Sequence, residues 1–212
     1  MSLDLVKALK APFSGEAWVK KLVIGGLLFL IPIVNFAVMG YTIKYLKNVL
    51  NGEDKTPDFS DFGGLLVTGV KALIGSLLLS IPFIIICLII GLLFSDSQVL
   101  ANLIVYVVYL VYYFVAYVLL ARFAMDEKVL SMVDFASVGK LLAGNKNILF
   151  FVLFLIALGF VYAVITTVCC ITVVGIILLP FIILAALLSN FNLIGQFVKS
   201  APNFEEVKAS AN

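Results

Sequence analysis

Long uncharged apolar stretches alternate with short polar segments along this chain. The longest stretch, residues 148–198, contains no Asp, Glu, Lys or Arg. A transmembrane helix needs about 20 apolar residues to cross the hydrocarbon core of a bilayer. The stretch therefore predicts two transmembrane helices that are joined by a tight turn at residues 169–172.

A second pair of apolar stretches has the same form. Residues 72–95 and 99–121 carry no charge and are separated by a short polar connection at residues 96–98. They predict another transmembrane hairpin. One helix of each hairpin contains a proline, Pro82 or Pro180, and we expect a kink there because proline removes a backbone hydrogen bond.

The first apolar stretch, residues 22–43, allows two interpretations. Pro32 and Asn35 interrupt it, and neither is favourable inside an undisturbed transmembrane helix. The stretch is either one kinked crossing or a broken, re-entrant hairpin that returns to the side from which it entered. We prefer the re-entrant hairpin, because a single crossing would separate the N-terminal lysines from the other basic residues.

The segment that follows, residues 41–64, is rich in turn-forming pairs such as Asn51-Gly52 and Gly63-Gly64. Its acidic residues allow a metal-binding interpretation, but the neighbouring lysines explain them as part of a solvated loop. We therefore predict a polar connection. The acidic residues are Glu53, Asp54, Asp58 and Asp61.

Amphipathic segments flank the apolar ones. Residues 3–13 and 127–144 place apolar side chains on one helical face and polar ones on the other, which is typical of short helices lying in the membrane surface. Asp4, Asp61 and Asp134 each open an amphipathic segment, and Asp61 is a candidate helix N-cap. This recurrence suggests one helix-plus-hairpin plan that occurs three times.

Together these elements predict an all-α membrane protein with a single polytopic domain over residues 1–212. It has four full transmembrane helices, an N-terminal broken or re-entrant helical hairpin, and short interfacial amphipathic helices. The predicted segments are an interfacial helix (3–13), the broken apolar hairpin (18–50), the first transmembrane hairpin (65–125), a second interfacial helix (127–144) and the second transmembrane hairpin (147–199).

The basic residues predict the orientation. The connection between the two transmembrane hairpins contains Arg122, Lys128, Lys140 and Lys146, whereas the turns near residues 96 and 169 contain none. Loops rich in Lys and Arg stay in the cytoplasm. We therefore expect a multi-pass protein of the cell membrane with both termini in the cytoplasm.

Composition excludes several classes of function. Hydrophobic residues make up 64% of the chain and charged residues 12%, against about 45–50% and 25% in soluble domains. The net charge of +2 and the lack of a basic cluster argue against nucleic-acid binding. Because histidine is absent and the predicted transmembrane helices hold no acid, we expect no catalytic, cofactor or metal site. The adjacent Cys169 and Cys170 leave a redox role open, although packing or a lipidated thiol explains them better.

A row of tyrosines marks one helix. Tyr106, Tyr109, Tyr113 and Tyr117 share one face with Asn102. Such a row either lines a polar passage or bonds to neighbouring helices and interfacial water, and we favour the second interpretation.

Small side chains recur every four residues at Thr68, Ala72, Ser76 and Ser80. Such a stripe lets two helices approach closely in lipid. The candidates for polar lining or helix packing are Asn35, Ser76, Ser80, Asn102, Tyr106, Tyr109, Tyr113 and Asn190, with Pro32, Pro82 and Pro180 as kinks.

Residues 25–69 contain a distinctive series of glycine, proline and polar positions: Gly25-Gly26, Ile31-Pro32-Ile33-Val34-Asn35, Gly40-Tyr41, Asn48-Val49, Gly52, Pro57 and Asp61-Phe62-Gly63. This series resembles an uncharacterised prokaryotic membrane family catalogued as domain of unknown function 4013, and the span ending in Leu193-Ile194-Gly195 is similar too. Lys47 and Phe59 depart from the arginine and tryptophan expected there. The resemblance implies a helical membrane fold and a prokaryotic source, but no activity.

These features favour a non-catalytic scaffold or partner-binding membrane subunit. Its expected partners are membrane lipid and either another membrane protein or a second copy of the chain. The alternative is an uncoupled transporter or channel for a small neutral solute, because helices broken by proline can shape a passage while coupling to ions requires charged residues within the spans.

Overall fold

The computed structural model describes residues 3–53 and 55–211, with the backbone alone at residues 173 and 174, and this part of the chain is all-helical. Four of its helices are long and apolar enough to cross a membrane. They are α4 (Phe62–Leu93), α5 (Gln98–Asp126), α7 (Ile148–Cys170) and α8 (Val173–Lys199). The prediction of an all-α fold with four long apolar helices is confirmed. Such helices are expected of a membrane protein.

Shorter helices precede and connect these four. They are α1 (Leu5–Lys10), α2 (Trp18–Phe29), α3 (Asn35–Leu50), α6 (Phe135–Leu142) and α9 (Phe204–Ala209), with 3₁₀ turns at Ala11–Phe13 and Val129–Val133. The segment 127–144 therefore holds a 3₁₀ turn and a separate helix rather than one continuous helix. Asp134 explains the break, because its carboxylate caps α6 by accepting a hydrogen bond from the Ser137 amide.

The same capping device opens α1 and α4. Asp4 accepts a hydrogen bond from the Lys7 amide, and Asp61 accepts one from the Gly64 amide. The prediction that Asp61 is an N-cap is confirmed. Each amphipathic segment thus begins with an aspartate that satisfies a backbone donor at a helix start.

The first apolar stretch is divided into α2 and α3 by a turn at residues 30–34. Pro32 lies in this turn, and Ile33 has a φ of +70°, which a β-branched residue rarely adopts. α3 continues to Leu50, so the prediction of a polar connection is wrong for residues 41–50. Tyr41, Tyr45 and Leu46 are buried, and this apolar face keeps the segment helical against the core.

α3 is the centre of the molecule and packs against α4, α5 and α8. Gly40 of α3 and Gly69 of α4 make the closest crossing. A Cβ atom at Gly40 would collide with the carbonyl of Leu65, and one at Gly69 would collide with the carbonyl of Phe36. The absence of side chains lets the two backbones touch, as is common where helices meet in lipid.

The hydrophobic core gathers around α3, and we call this region the base: α3 with residues 62–76, 114–158 and 184–211. The remaining parts of the long helices form two distal arms, residues 77–113 and 159–183. Most side chains of the arms are exposed, whereas the largest buried ones lie in the base. Pro82 and Pro180 lie inside arm helices that continue through them, and the kinks remain predictions.

Candidate functional site

A cleft of about 670 Å³ opens between α5 and α7, with α8 behind it. We call it the α5/α7 cleft. Its apolar wall comes from α5 and α7, including Val152, Ile156 and Gly159. Phe114 and Phe151 meet edge to face at a centroid distance of 5.8 Å, and this contact links the two helices beside the cleft.

Tyrosine side chains give the cleft its polar character. Tyr109, Tyr113 and Tyr117 line it together with Asn190 of α8. Ring centroids are 5.6 Å apart between Tyr109 and Tyr113, and 4.9 Å apart between Tyr113 and Tyr117. The Asn190 amide donates a hydrogen bond of 2.8 Å to the Ala186 carbonyl of its own helix. The structure thus brings Tyr109, Tyr113 and Asn190 together, as members of the set named from the sequence.

The other residues of that set lie elsewhere. Asn102 and Tyr106 are exposed on α5 outside the cleft lining. Ser80 donates a hydrogen bond to the Leu77 carbonyl within α4, and Ser76 is half-buried on the same helix. Asn35 begins α3, and its side-chain oxygen is buried without a hydrogen-bond partner among the described residues.

A second polar region, the charged cluster of the base, surrounds Arg122. The guanidinium contacts Asp126 at 2.9 Å and Asp134 at 3.2 Å. The Ser131 hydroxyl donates a hydrogen bond to Asp126, and the Ser137 hydroxyl donates one to Asp134. These contacts join the end of α5 to the 3₁₀ turn and α6, and a buried cation therefore has two carboxylate partners.

Glu127 extends this cluster to α3 and α4. Lys47 contacts the Glu127 carboxylate at 2.7 Å, and the Thr68 hydroxyl donates to it at 2.8 Å. Glu127 itself has a φ of 56° and terminates α5. The side of the cluster that faces α4 borders a cavity of about 680 Å³, which Lys71 and Lys128 also line.

Hydrogen bonds hold two carboxylates of the cluster, those of Asp134 and Glu127, ionised. The Ser137 hydroxyl and amide, together with Arg122, lower the pKa of Asp134 below its ordinary value of 3.8 although burial opposes this shift. Burial alone would raise the pKa of Glu127, but hydrogen bonds from Lys47 and Thr68 outweigh it and the pKa is lowered. Each of these two carboxylates is therefore ionised and held by hydrogen bonds within the protein.

These hydrogen bonds limit the chemistry that the cluster can perform. A general acid or base must exchange its proton with a substrate, and its pKa has to lie near the working pH. The carboxylates of Asp134 and Glu127 are shifted away from that range. The cluster therefore fits a structural role that fixes the ends of α4, α5 and α6 relative to α3. Among residues 3–53 and 55–211, no group of three or more Cys, Asp or Glu side chains is arranged to hold a metal ion. Asp54 of the predicted acidic loop lies outside the described residues.

Several contacts of the site were missed by sequence reasoning. Arg122 and Asp126 are four residues apart, and this helical spacing could have revealed their pairing. The crossing of Gly40 and Gly69 had no such signal, because it depends on how two distant helices dock. The predicted stripe of Ser76 and Ser80 continues beyond this crossing, but the closest approach uses the glycines.

The comparison with known families agrees with the sequence pattern. Residues 24–171 match the family described as protein of unknown function (DUF4013), and the chain belongs to this family. The resemblance drawn from the glycine and proline positions is thereby confirmed. No curated protein and no solved structure matches the chain. The family description names no activity, so a function has to be argued from the geometry.

Proposed function

We propose that the protein is a non-catalytic membrane subunit that binds a transmembrane helix of another membrane protein in the α5/α7 cleft. The observation that carries the proposal is the row of exposed phenols along this face. Tyr109 and Tyr113, which line the cleft, are 44% and 47% exposed, and Tyr106, about one turn before them on α5 and outside the lining, is 62% exposed. They are polar groups on a helix that is otherwise apolar along most of its length.

The depth of these phenols in the bilayer matters. At a rise of about 1.5 Å per residue, Tyr109 and Tyr113 are about 16–22 Å from the start of α5 and thus near the middle of a crossing. Lipid tails offer no hydrogen-bond partners, so a polar group gains from a protein partner at this depth. A helix that carries polar side chains or small residues would supply both the partners and the close fit.

The charge distribution supports a particular orientation. The cluster of the base and nearly all lysines lie at one end of the long helices, whereas the turn at residues 94–97 has no Lys or Arg. The positive-inside tendency then places the base and both termini in the cytoplasm. In this orientation α2 and α3 form a re-entrant hairpin whose tip, with the exposed Ile31 and Ile33, inserts into the bilayer, and α1 and α6 lie at the membrane surface.

The proposal is tested by filling the cleft. Gly159 lines the cleft, and a Cβ atom there meets nothing within 4 Å, so Gly159→Trp should fill the space without disturbing the fold. Gly91 of α4 is equally open but lies outside the cleft, which makes Gly91→Trp the matched control. A photoreactive phenylalanine at Val152 reports which molecule occupies the cleft in native membranes.

We expect one discrete protein adduct at Val152 that Gly159→Trp abolishes and Gly91→Trp preserves. The mass of the adduct tells another protein from a second copy of the chain, and a second copy would replace our proposal by self-association. Adducts with lipid alone, or an adduct that Gly159→Trp leaves unchanged, would contradict the proposal.

A second candidate function is favoured by Asn190. Its amide and the tyrosine hydroxyls place polar groups in a cleft whose volume is typical of small-molecule sites. An uncoupled transporter of a neutral solute would use these groups. Flux of a neutral solute into vesicles that contain the purified protein, lost in Asn190→Leu and retained in Gly91→Trp, would favour this function over partner binding.

A further inference from the structure

The cavity beside the charged cluster brings together two lysines from different parts of the chain. Lys71 lines it from α4, and Lys128 lines it from the connection that follows α5. The 3₁₀ turn after Lys128 packs against α4, and a Cβ atom at Gly75 would collide there with the Met132 side chain. Gly75 is about one helical turn beyond Lys71, so this contact sets the two lysines around one space. The cavity volume of about 680 Å³ lies within the usual range of ligand sites.

The acids of the cavity lining are already bound within the protein. Both carboxylate oxygens of each acid accept a hydrogen bond from a protein donor. These acids are Asp126, Glu127 and Asp134. Arg122 and Lys47 offset two of their three charges. With Lys71 and Lys128 the region has four cations against three carboxylates, a net charge of +1.

Lys71 and Lys128 carry this positive charge at the surface. Both residues are exposed, and in the part of the chain that the structure describes neither ammonium group has an ion pair or a hydrogen bond. Lys44 and Lys140, elsewhere in the base, instead contact carboxylates at 2.8 Å and 2.6 Å. The ammonium groups of Lys71 and Lys128 are therefore accessible donors that an anion can reach.

The surroundings of Lys71 are apolar. Val67, Ile74 and Leu78 lie four residues before it and three and seven residues after it, so they share its side of α4, and all three are exposed. Leu130, which also lines the cavity, is largely exposed as well. The charge-free stretch of α4 begins directly after Lys71, which sets this lysine at the boundary between headgroups and acyl chains. An anion that contacts both the lysines and these apolar side chains has to be amphiphilic.

We infer that this cavity binds the headgroup of an acidic phospholipid, with its phosphate at Lys71 and Lys128 and an acyl chain along Ile74 and Leu78. Lysine ammonium groups bind phosphate as point charges. The bound lipid would bridge α4 and the connection after α5, and would thereby strengthen the base. The inference requires that α4 and α5 cross the membrane, but it does not depend on a partner in the α5/α7 cleft.

The test measures lipid binding to the purified full-length protein in neutral detergent. The probes are phosphatidylglycerol and phosphatidylcholine with identical acyl chains, and titration followed by native mass spectrometry gives the Kd of each. Lys71→Gln and Lys128→Gln should each weaken the binding of phosphatidylglycerol about fivefold, the contribution of one lysine at a membrane surface. Because neither ammonium group has a partner among the described residues, the melting temperature without lipid should stay unchanged in both variants.

Two controls separate this site from general attraction to a basic surface. Lys146→Gln removes the same charge from an exposed lysine outside the cavity and should leave binding unchanged. Gly63→Lys, added to Lys71→Gln, restores the net charge about 12 Å away along α4. Gly63 is exposed, and a Cβ atom there meets nothing within 4 Å. Binding in this double variant should stay as weak as in Lys71→Gln alone.

A loss of binding in both Lys71→Gln and Lys128→Gln, together with weaker binding of phosphatidylcholine, supports the site. Unchanged binding in both variants, an equal loss in Lys146→Gln, recovery in the double variant, or equal binding of the two lipids would overturn it. Glycerol 3-phosphate is the soluble competitor. If it displaces phosphatidylglycerol at equal concentration, the cavity takes a soluble phosphate compound and the assignment to a lipid is wrong.

Discussion

The base and the distal arms solve the same folding problem in opposite ways. In the base, aromatic rings stack, glycines let helices touch, and each acid of the charged cluster has a partner. Phe151 and Phe197 are parallel at a centroid distance of 4.2 Å, for example. In the arms, Ile84, Ile85 and Ile86 are successive residues and all are about half exposed. A narrow face of α4 remains packed there, with Leu79 and Ile90 buried and Phe83 stacked on Tyr112 of α5.

The difference follows from the two solvents. An apolar side chain that faces lipid is already in an apolar medium, so burying it inside the protein gains little. The arms can therefore remain exposed at small cost, and the base has to provide the contacts that make the fold unique. Substitutions of the same kind should then have large effects in the base and small effects in the arms.

The largest contrast is expected between two phenylalanines of α7. Phe151 is 0% exposed and Phe160 is 71% exposed. Phe151→Ala should lower the free energy of unfolding by about 3–5 kcal/mol, because it leaves a cavity among packed rings. Phe160→Ala should change it by less than about 0.5 kcal/mol, as is usual for surface positions. Unfolding in mixed micelles of increasing denaturing detergent measures both.

This pair also tests whether the exposed side chains of the arms face lipid in the membrane. A large loss in Phe160→Ala would mean that a further contact covers this face. Similar losses at both positions would contradict the division into base and arms.

A smaller contrast is expected between two glycines. Gly40→Ala places a methyl group against the Leu65 backbone, and overpacking of this kind costs about 1–3 kcal/mol. Gly91→Ala meets nothing within 4 Å, and it should be neutral or stabilising by up to about 1 kcal/mol because alanine favours the helix. The same glycine-to-alanine change should therefore lower the stability at Gly40 and leave it unchanged or raise it at Gly91. Melting temperatures of the two variants against the unchanged protein provide the measurement, and a loss of equal size at Gly91 would refute the close crossing as the cause.

The arms were the part of the fold that sequence could predict. Uninterrupted apolar stretches longer than 20 residues have one structural solution in lipid, so the positions of α4, α5, α7 and α8 followed from composition. The cap at Asp61 followed from a local rule as well. These features depend on neighbours in the chain and need no knowledge of tertiary contacts.

The base could not be predicted in the same way. α3 begins in an apolar stretch and ends among lysines and tyrosines, so residues 41–50 read as a polar connection until the burial of Tyr41 and Tyr45 is known. A chain of hydrogen bonds from Tyr45 through Asn192 to Gln196 joins residues that are more than 140 positions apart. Of the candidate site, the tyrosine row was visible as a helical face, but its partner Asn190 was placed beside it only by the docking of α8.

The smallest expected effect is on the pH dependence of stability, and it should again differ between the base and the arms. The pKa of Asp134 is lowered chiefly by the hydrogen bond from the Ser137 hydroxyl. A lowered pKa in the folded state contributes stability above the ordinary value of 3.8 and loses it as the pH falls through the folded value. Ser137→Ala should therefore cost about 1 kcal/mol at neutral pH and flatten the loss of stability below about pH 4. Ser80→Ala removes an equivalent hydroxyl from an arm, where it bonds only to the Leu77 carbonyl, and should leave the shape of the pH profile unchanged. Melting temperatures between pH 7 and pH 3 test this. If the melting temperature falls equally steeply in acid in the unchanged protein and in Ser137→Ala, the hydrogen bond from Ser137 to Asp134 does not cause the acid loss of stability.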